Sequence, residues 1–239
     1  MVIHDIERRL KEDEWNYLQK KYPYVAFNYK GFGANGKLNS PENGCRILYP
    51  LELPMTMPEQ WKPEIFERYD GIITFNSKFA HDNKNLNIKL VNGVLACNNY
   101  YHLDNHLDYE ARIPGVAVLL KLYYTGREGD IVWLRQEAVE SLSNTLPVHV
   151  WSTDQWGGRN YQGVVKSPIH HSHINHLKKI NEYRFCICFE PVYHEYWGWD
   201  FITERMFNCF KAKTVPIYIG CHNIEQYVPK ELFVDFREF

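Results

Sequence analysis

The chain has 239 residues, and its 27 Lys and Arg against 29 Asp and Glu leave a formal charge of −2. That balance argues against a protein that draws its affinity from a nucleic-acid backbone, which needs surplus basic side chains to displace counterions. Aromatic residues are the outlier at 15% of the chain, enough to fill a large core and leave flat rings for a ligand.

Helix and strand signals alternate along the chain. Residues 7–21 carry a helical period through Leu10, Trp15 and Leu18. Residues 24–27, 45–49 and 71–75 read as short strands, 63–69 as a helix between the last two, and 88–91 as another strand. Residues 97–110 form a polar, aromatic loop. The pattern restarts near Arg112-Ile113-Pro114-Gly115 with a strand over 116–123, the turn TGREGD, a helix over 131–142 and a strand over 148–151. A glycine-containing loop leads to a helix over 174–181 and a strand over 185–189. An aromatic loop to Asp200 follows, then a helix over 202–211 and a strand over 215–219. Two successive sets of strands separated by helices predict two Rossmann-like, doubly wound α/β lobes, residues 1–112 and 113–239, with the ligand in a cleft at the carboxyl ends of the strands.

No run approaches the roughly 18 apolar residues of a membrane helix. Lys121 interrupts the best one, 116–120, and the charged amino terminus lacks the apolar block of a secretory signal. The chain reads as soluble and cytoplasmic, with the Golgi lumen open to it if an amino-terminal anchor has been removed. Six cysteines are too sparse for a disulfide scaffold and fit a reducing compartment. Cys186 and Cys188 fall on one face of a strand and should pack as small hydrophobes.

Several motifs compete for a function. Gly31-Phe32-Gly33-Ala34-Asn35-Gly36 matches a dinucleotide loop, but the following LNSPENG has no helical period to receive a phosphate, so a surface loop is preferred. His170, His171, His173 and His176 have metal-like spacing beside Lys178 and Lys179, which would repel a cation, and read as a solvated loop entering a helix. Glu52 follows an apolar strand between prolines, where a carboxylate can face a cleft as a general base or simply be exposed. Thr203-Glu204-Arg205 opens a helix behind the strand that delivers Glu190. A helix N-terminus with an adjacent Arg suits a diphosphate, and Glu204 suits ribose hydroxyls, although capping and dipole complementarity alone explain Thr203 and Glu204.

The ordered series Tyr183-Arg184-Phe185, Cys188-Phe189-Glu190, Phe201-Ile202-Thr203-Glu204-Arg205, Thr214-Val215-Pro216-Ile217-Tyr218-Ile219-Gly220 and Tyr227-Val228-Pro229 resembles the donor-binding signature of the α1,3-fucosyltransferase family. GREGDIVWLRQEAVESL resembles the first helix of that family's donor lobe, and YPLELP with YDGIITFN its acceptor-lobe core. The resemblance implies a GT-B fold with an acceptor-side lobe over 1–112 and a donor lobe over 113–239. It also implies an inverting transfer of fucose from GDP-fucose to a hydroxyl of a glycan or glycoprotein. By position it implies Arg135, Glu190, Phe201, Thr203, Glu204 and Arg205 at the donor and Glu52 as base. No nucleic-acid partner, metal ligand or obligatory cofactor is implied, although a divalent cation is not excluded. Arg205 stands where the family has Lys, and Pro191 where it has Asn. These departures keep a UDP-sugar such as UDP-xylose open as donor. A non-catalytic carbohydrate-binding protein is the alternative outside the enzyme class.

Overall fold

A computed structural model describes residues 25–28, 45–48, 50, 53–55, 58–91, 103–120, 125–152, 156, 158–165 and 174–239. The helix read over 7–21, the glycine motif at 31–36, Glu52, and His170, His171 and His173 lie outside the described residues. The chain divides into two compact units, Met1–Leu95 and Ala96–Phe239.

In the first unit, β1 (Val25–Asn28), β2 (Cys45–Leu48), β3 (Gly71–Thr74) and β4 (Ile88–Leu90) form one parallel sheet in chain order. The doubly wound expectation is corrected here. Each strand pairs beside the one before it, so the order never reverses among the described residues. The helix read over 63–69 is the single turn α1 (Pro63–Phe66), with Pro63 at the first turn where its missing N–H costs nothing. A second short helix, α2 (Ser77–Asp82), was not read from the sequence; Asn76 caps it, its Oδ1 accepting the Phe79 N–H at 2.8 Å. Phe79 meets Trp61 and Phe66 edge to face, with centroids 5.1 and 5.5 Å apart.

The second unit contains β5 (Ile113–Leu120), α3 (Leu134–Leu142), β6 (Val148–Ser152), β7 (Tyr161–Gly163), α4 (Ile174–Asn181), β8 (Tyr183–Phe189), α5 (Glu204–Lys211), β9 (Val215–Ile219) and β10 (Val234–Asp235). Its six parallel strands run β10-β9-β8-β5-β6-β7. Alternation along β5 explains the two layers: Val116 and Val118 meet Ala138 and Val139 of α3, whereas Ala117 shares its core with Ile180, Met206 and Cys209 of α4 and α5. Cys186 and Cys188 are buried free thiols on the latter face.

The units meet at residue 95, earlier than the 112/113 boundary read from the sequence, because the segment before β5 is tied to the second unit. Leu107 N–H donates to Asn181 Oδ1 at 3.0 Å. The buried Arg112 guanidinium gathers carbonyls of Leu107 (2.8 Å) and Ala212 (3.3 Å), and of Lys213 beyond the carboxyl end of α5. Among the described residues no helix is long and apolar enough to cross a membrane.

Candidate functional site

In the second unit the chain runs outward from β5 through β6 and β7, then returns to place β8, β9 and β10 on the other side of β5. The reversal lies between β5 and β8, and a crevice at the carboxyl ends of such strands is the usual seat of a ligand in a doubly wound sheet. Most of the carried-over side chains gather at that point.

β8 delivers Glu190 to its end, where the side chain is 0% exposed. Its Oε1 accepts the Thr203 N–H at 2.8 Å, and its Oε2 accepts the Thr203 hydroxyl at 2.8 Å and Arg205 Nη1 at 3.0 Å. Thr203 caps α5, and Arg205 Nη1 also donates to its Oγ1 at 2.9 Å. The carboxylate therefore fixes both the start of α5 and the guanidinium in its first turn. A Cβ on Gly220, at the end of β9, would stand 2.3 Å from Glu190 Cγ and 2.5 Å from its Cβ, so glycine there is what admits the side chain.

From the opposite face of the sheet, Arg135 of α3 is buried and donates through Nη2 to Phe189 O at 2.7 Å. Burial first, and then the charge of Arg205, push its guanidinium down to about 9, with Glu190 pulling it back. Burial likewise raises the Glu190 carboxyl above its usual range against the pull of Arg205 and Thr203. Partial burial works against the charge of Arg205, yet the charges of Glu190 and Glu204 keep it more basic than usual. Two guanidiniums beside a helix N-terminus suit a diphosphate, with the carboxylates of Glu190, turned inward, and Glu204, on the pocket, balancing their charge.

The loops over this end are joined to one another. Asp130 accepts from Thr125 N–H and hydroxyl at 2.6 and 2.7 Å, Gly126 N–H at 3.2 Å and Val132 N–H at 2.9 Å. These donors hold its carboxyl below the usual range despite burial. Asp130 forms a β-bridge with Val192, and Ile131 N–H donates to Pro191 O at 3.1 Å. Further along, His194 Nδ1 accepts from the Tyr196 and Trp197 N–H groups at 3.1 and 3.2 Å. Tyr193 stacks on His222 with centroids 4.4 Å apart. Asp200, at φ 61, accepts from Asn223 Nδ2 at 2.7 Å and from Tyr227.

Arg135, Glu204 and Arg205 line one pocket with His176 and Asn208, while Thr203 and Phe201 are buried beside it in sequence. Glu190 has no exposed surface to offer a ligand and stands behind Arg205, a placement the sequence did not distinguish from direct contact. His176 requires a correction: it is buried rather than solvated, because positions 176, 177, 180 and 181 form the inward face of α4. Only its place on that face, with Leu177 and Ile180, signalled it; Asn208 had the same signal, one turn beyond Glu204. Among the described residues no group of three His, Cys, Asp or Glu side chains is placed to hold a metal ion.

Residues 128–239 match glycosyltransferase family 10 (fucosyltransferase) C-term. A segment of 67 residues is 33% identical to 4-galactosyl-N-acetylglucosaminide 3-alpha-L-fucosyltransferase 9 of Mus musculus, covering 27% of this chain and 18% of that protein. A crystal structure of an alpha1,3-fucosyltransferase is similar in fold at TM-score 0.52 and 15% identity, covering 90% of this chain and 60% of the other. One of an alpha1,3-fucosyltransferase with GDP is similar at 0.50 and 13%, covering 96% and 71%. The chain thus matches less than a fifth of the mouse protein and about three fifths of the first crystal structure. Over residues 128–239 the chain is thus similar to the C-terminal domain of glycosyltransferase family 10 (fucosyltransferase).

Proposed function

We propose that the protein is an inverting fucosyltransferase whose second unit holds GDP-fucose while its first unit serves the acceptor, the two sheets corresponding to the lobes of a GT-B enzyme. The observation that carries this reading is the pair Arg135 and Arg205 around buried Glu190 at the start of α5, inside the segment that matches the fucosyltransferase family. In the transfer, an acceptor oxygen forms a bond to the anomeric carbon as the bond to the diphosphate breaks. The electron pair leaves on the diphosphate, and the acceptor proton passes to a base.

Arg135, Arg205 and the first N–H groups of α5 stabilise the charge growing on the leaving diphosphate, which requires no proton transfer to it. Glu204, half-buried in the same pocket, is suited to the ribose hydroxyls. Glu190 acts one step back, as the residue that aims Arg205 and Thr203. Glu52 is proposed as the base from its sequence position, with a contribution of about 10² to 10⁴ in rate.

A comparison of GDP-fucose with UDP-xylose tests the donor. Release of GDP, stimulated by a glycan acceptor, with no turnover of UDP-xylose is the expected result. Thermal stabilisation by GDP should approach about 2.7 kcal/mol at a hundredfold excess over Kd. Turnover of the UDP-sugar alone overturns the donor assignment. Glycan binding without stabilisation by any nucleotide overturns the enzyme reading.

A further inference from the structure

Trp133 immediately precedes α3 and is 48% exposed, an unusual position for the largest apolar side chain. Its ring is nevertheless held: Nε1 donates to Asp130 O at 3.0 Å, and Asp130 is the residue anchored by the four donors described above. The indole therefore has its polar edge satisfied and its body available. Beyond it runs a groove lined by Gln136, Glu137, Glu140, Asn144 and Arg159. Gln136, Glu137 and Glu140 follow Trp133 at spacings of three, four and seven, one stripe of α3, and Asn144 lies in the turn just beyond its end.

The opposite wall is also fixed. Arg159 lies 3.7 Å from Glu140, its carbonyl accepts the Trp156 indole N–H at 2.9 Å, and neighbouring Asn160 donates to Ser143 Oγ at 2.5 Å. A rigid aromatic ring between two anchored walls loses little freedom when a ligand arrives.

The chemistry of the lining selects the ligand. A tryptophan built for a protein partner sits among other apolar side chains, with charged groups depleted around it. Here every neighbour on the groove is polar, two of them carboxylates. Those carboxylates also disfavour a nucleic-acid backbone. An amphipathic ligand with a flat C–H face and a rim of hydroxyls matches both parts: the face for Trp133, the hydroxyls for Gln136, Glu137, Asn144 and Arg159.

We propose that this groove is a carbohydrate-binding subsite, separate from the pocket of Arg135, Glu204 and Arg205, that engages a neutral oligosaccharide through Trp133. The inference rests on the fucosyltransferase reading for one point only, that the natural ligand is an extended part of the glycan acceptor.

Calorimetric titration of the full chain with chitohexaose tests it, alongside thermal stabilisation by GDP in the same preparation. Saturable binding with Kd on the order of 1 mM is expected, weakened at least about tenfold in Trp133→Ala, with stabilisation by GDP unchanged in that variant. Asn144→Ala, in the exposed turn after α3, should weaken binding several-fold and guards against a fold defect in the tryptophan variant. No saturation up to about 10 mM, or equal binding by wild type and Trp133→Ala, overturns the proposal. Trp133-dependent binding in a protein that no nucleotide stabilises upholds the subsite while sinking the fucosyltransferase reading.

Discussion

Gly220→Ala is the sharpest perturbation of the candidate site, because the added atom would touch no ligand. Its Cβ would lie 2.3 and 2.5 Å from two carbons of Glu190 and 3.0 Å from the Tyr218 hydroxyl, more than 1 Å inside ordinary contact for the carbons. Tyr218 is fully buried and its hydroxyl accepts the Cys221 N–H at 2.9 Å, so the carboxylate stem is what must yield. Overpacking of this kind costs about 1–3 kcal/mol. Displacing the carboxylate also strands the Thr203 N–H and the Arg205 guanidinium. Breaking a fully buried ion pair costs about 3–5 kcal/mol, but the Arg205 side chain is 32% exposed, so solvent screening reduces that penalty substantially.

A combined loss of about 3–4 kcal/mol, at about 2–4 °C per kcal/mol for a domain of this size, lowers Tm by roughly 10 °C. Thermal and urea unfolding, each with and without saturating GDP, measure it. The stabilisation by GDP should shrink as well, since Arg205 has lost its guide. Gly126→Ala is the control: its φ of 66 has open space around it, and left-handed backbone alone costs about 1 kcal/mol. A Gly220→Ala protein that melts within about 2 °C of wild type and keeps its full response to GDP refutes the role given to Glu190.

Thr203→Ala should cost about 1 kcal/mol as a lost cap and raise KM for the donor, whereas Thr203→Ser restores both because its hydroxyl still reaches Glu190. Affinity for GDP should fall as pH rises through about 9, where the buried Arg135 loses the charge that attracts a diphosphate. Calorimetry on Arg135→Met should show weaker binding and no such step. Arg112→Met removes the charged donor shared by the carbonyls of Leu107 and Lys213, hydrogen bonds worth about 1.5–3 kcal/mol each when one partner is charged, while Ala212 O keeps the Asn181 amide at 2.8 Å; Tm should drop with no change in GDP affinity. Burial raises the Cys188 thiol and carries that of Cys221 up to about 12, so both should resist iodoacetamide at pH 8 and react fully in urea, as mass spectrometry would read.

What could be read in advance follows the range of the interactions. The helix over Ile174–Asn181 and the strand Val215–Ile219 carry their own period and end where it ends. β7 and β10, three and two residues long, have no period to display and exist only because a neighbouring strand offers its edge. Glu204 and Arg205 are legible from the helix start itself and Arg135 through the family resemblance alone, and the fold brings them to one pocket although Arg135 arrives from the other face of the sheet. The burial of Glu190 was illegible because it depends on a glycine thirty positions away. His176 was misjudged because its histidine neighbours suggested water, while the inward face of α4 decided otherwise.

The central position of β5 bears on the order in which the unit can assemble. Val116 meets Val148 of the next strand, but on its other side Ile113 meets Tyr183, roughly twice as far along the chain. Doubling a loop adds only about 0.6 kcal/mol of closure entropy, so the cost falls on time rather than on stability: non-local parallel pairing is slow. Until β8 arrives, one flank of β5 is an open row of backbone donors and acceptors. During that interval the chain is most exposed to pairing with the wrong partner, and the strand that ends it is the same one that carries Glu190 into place.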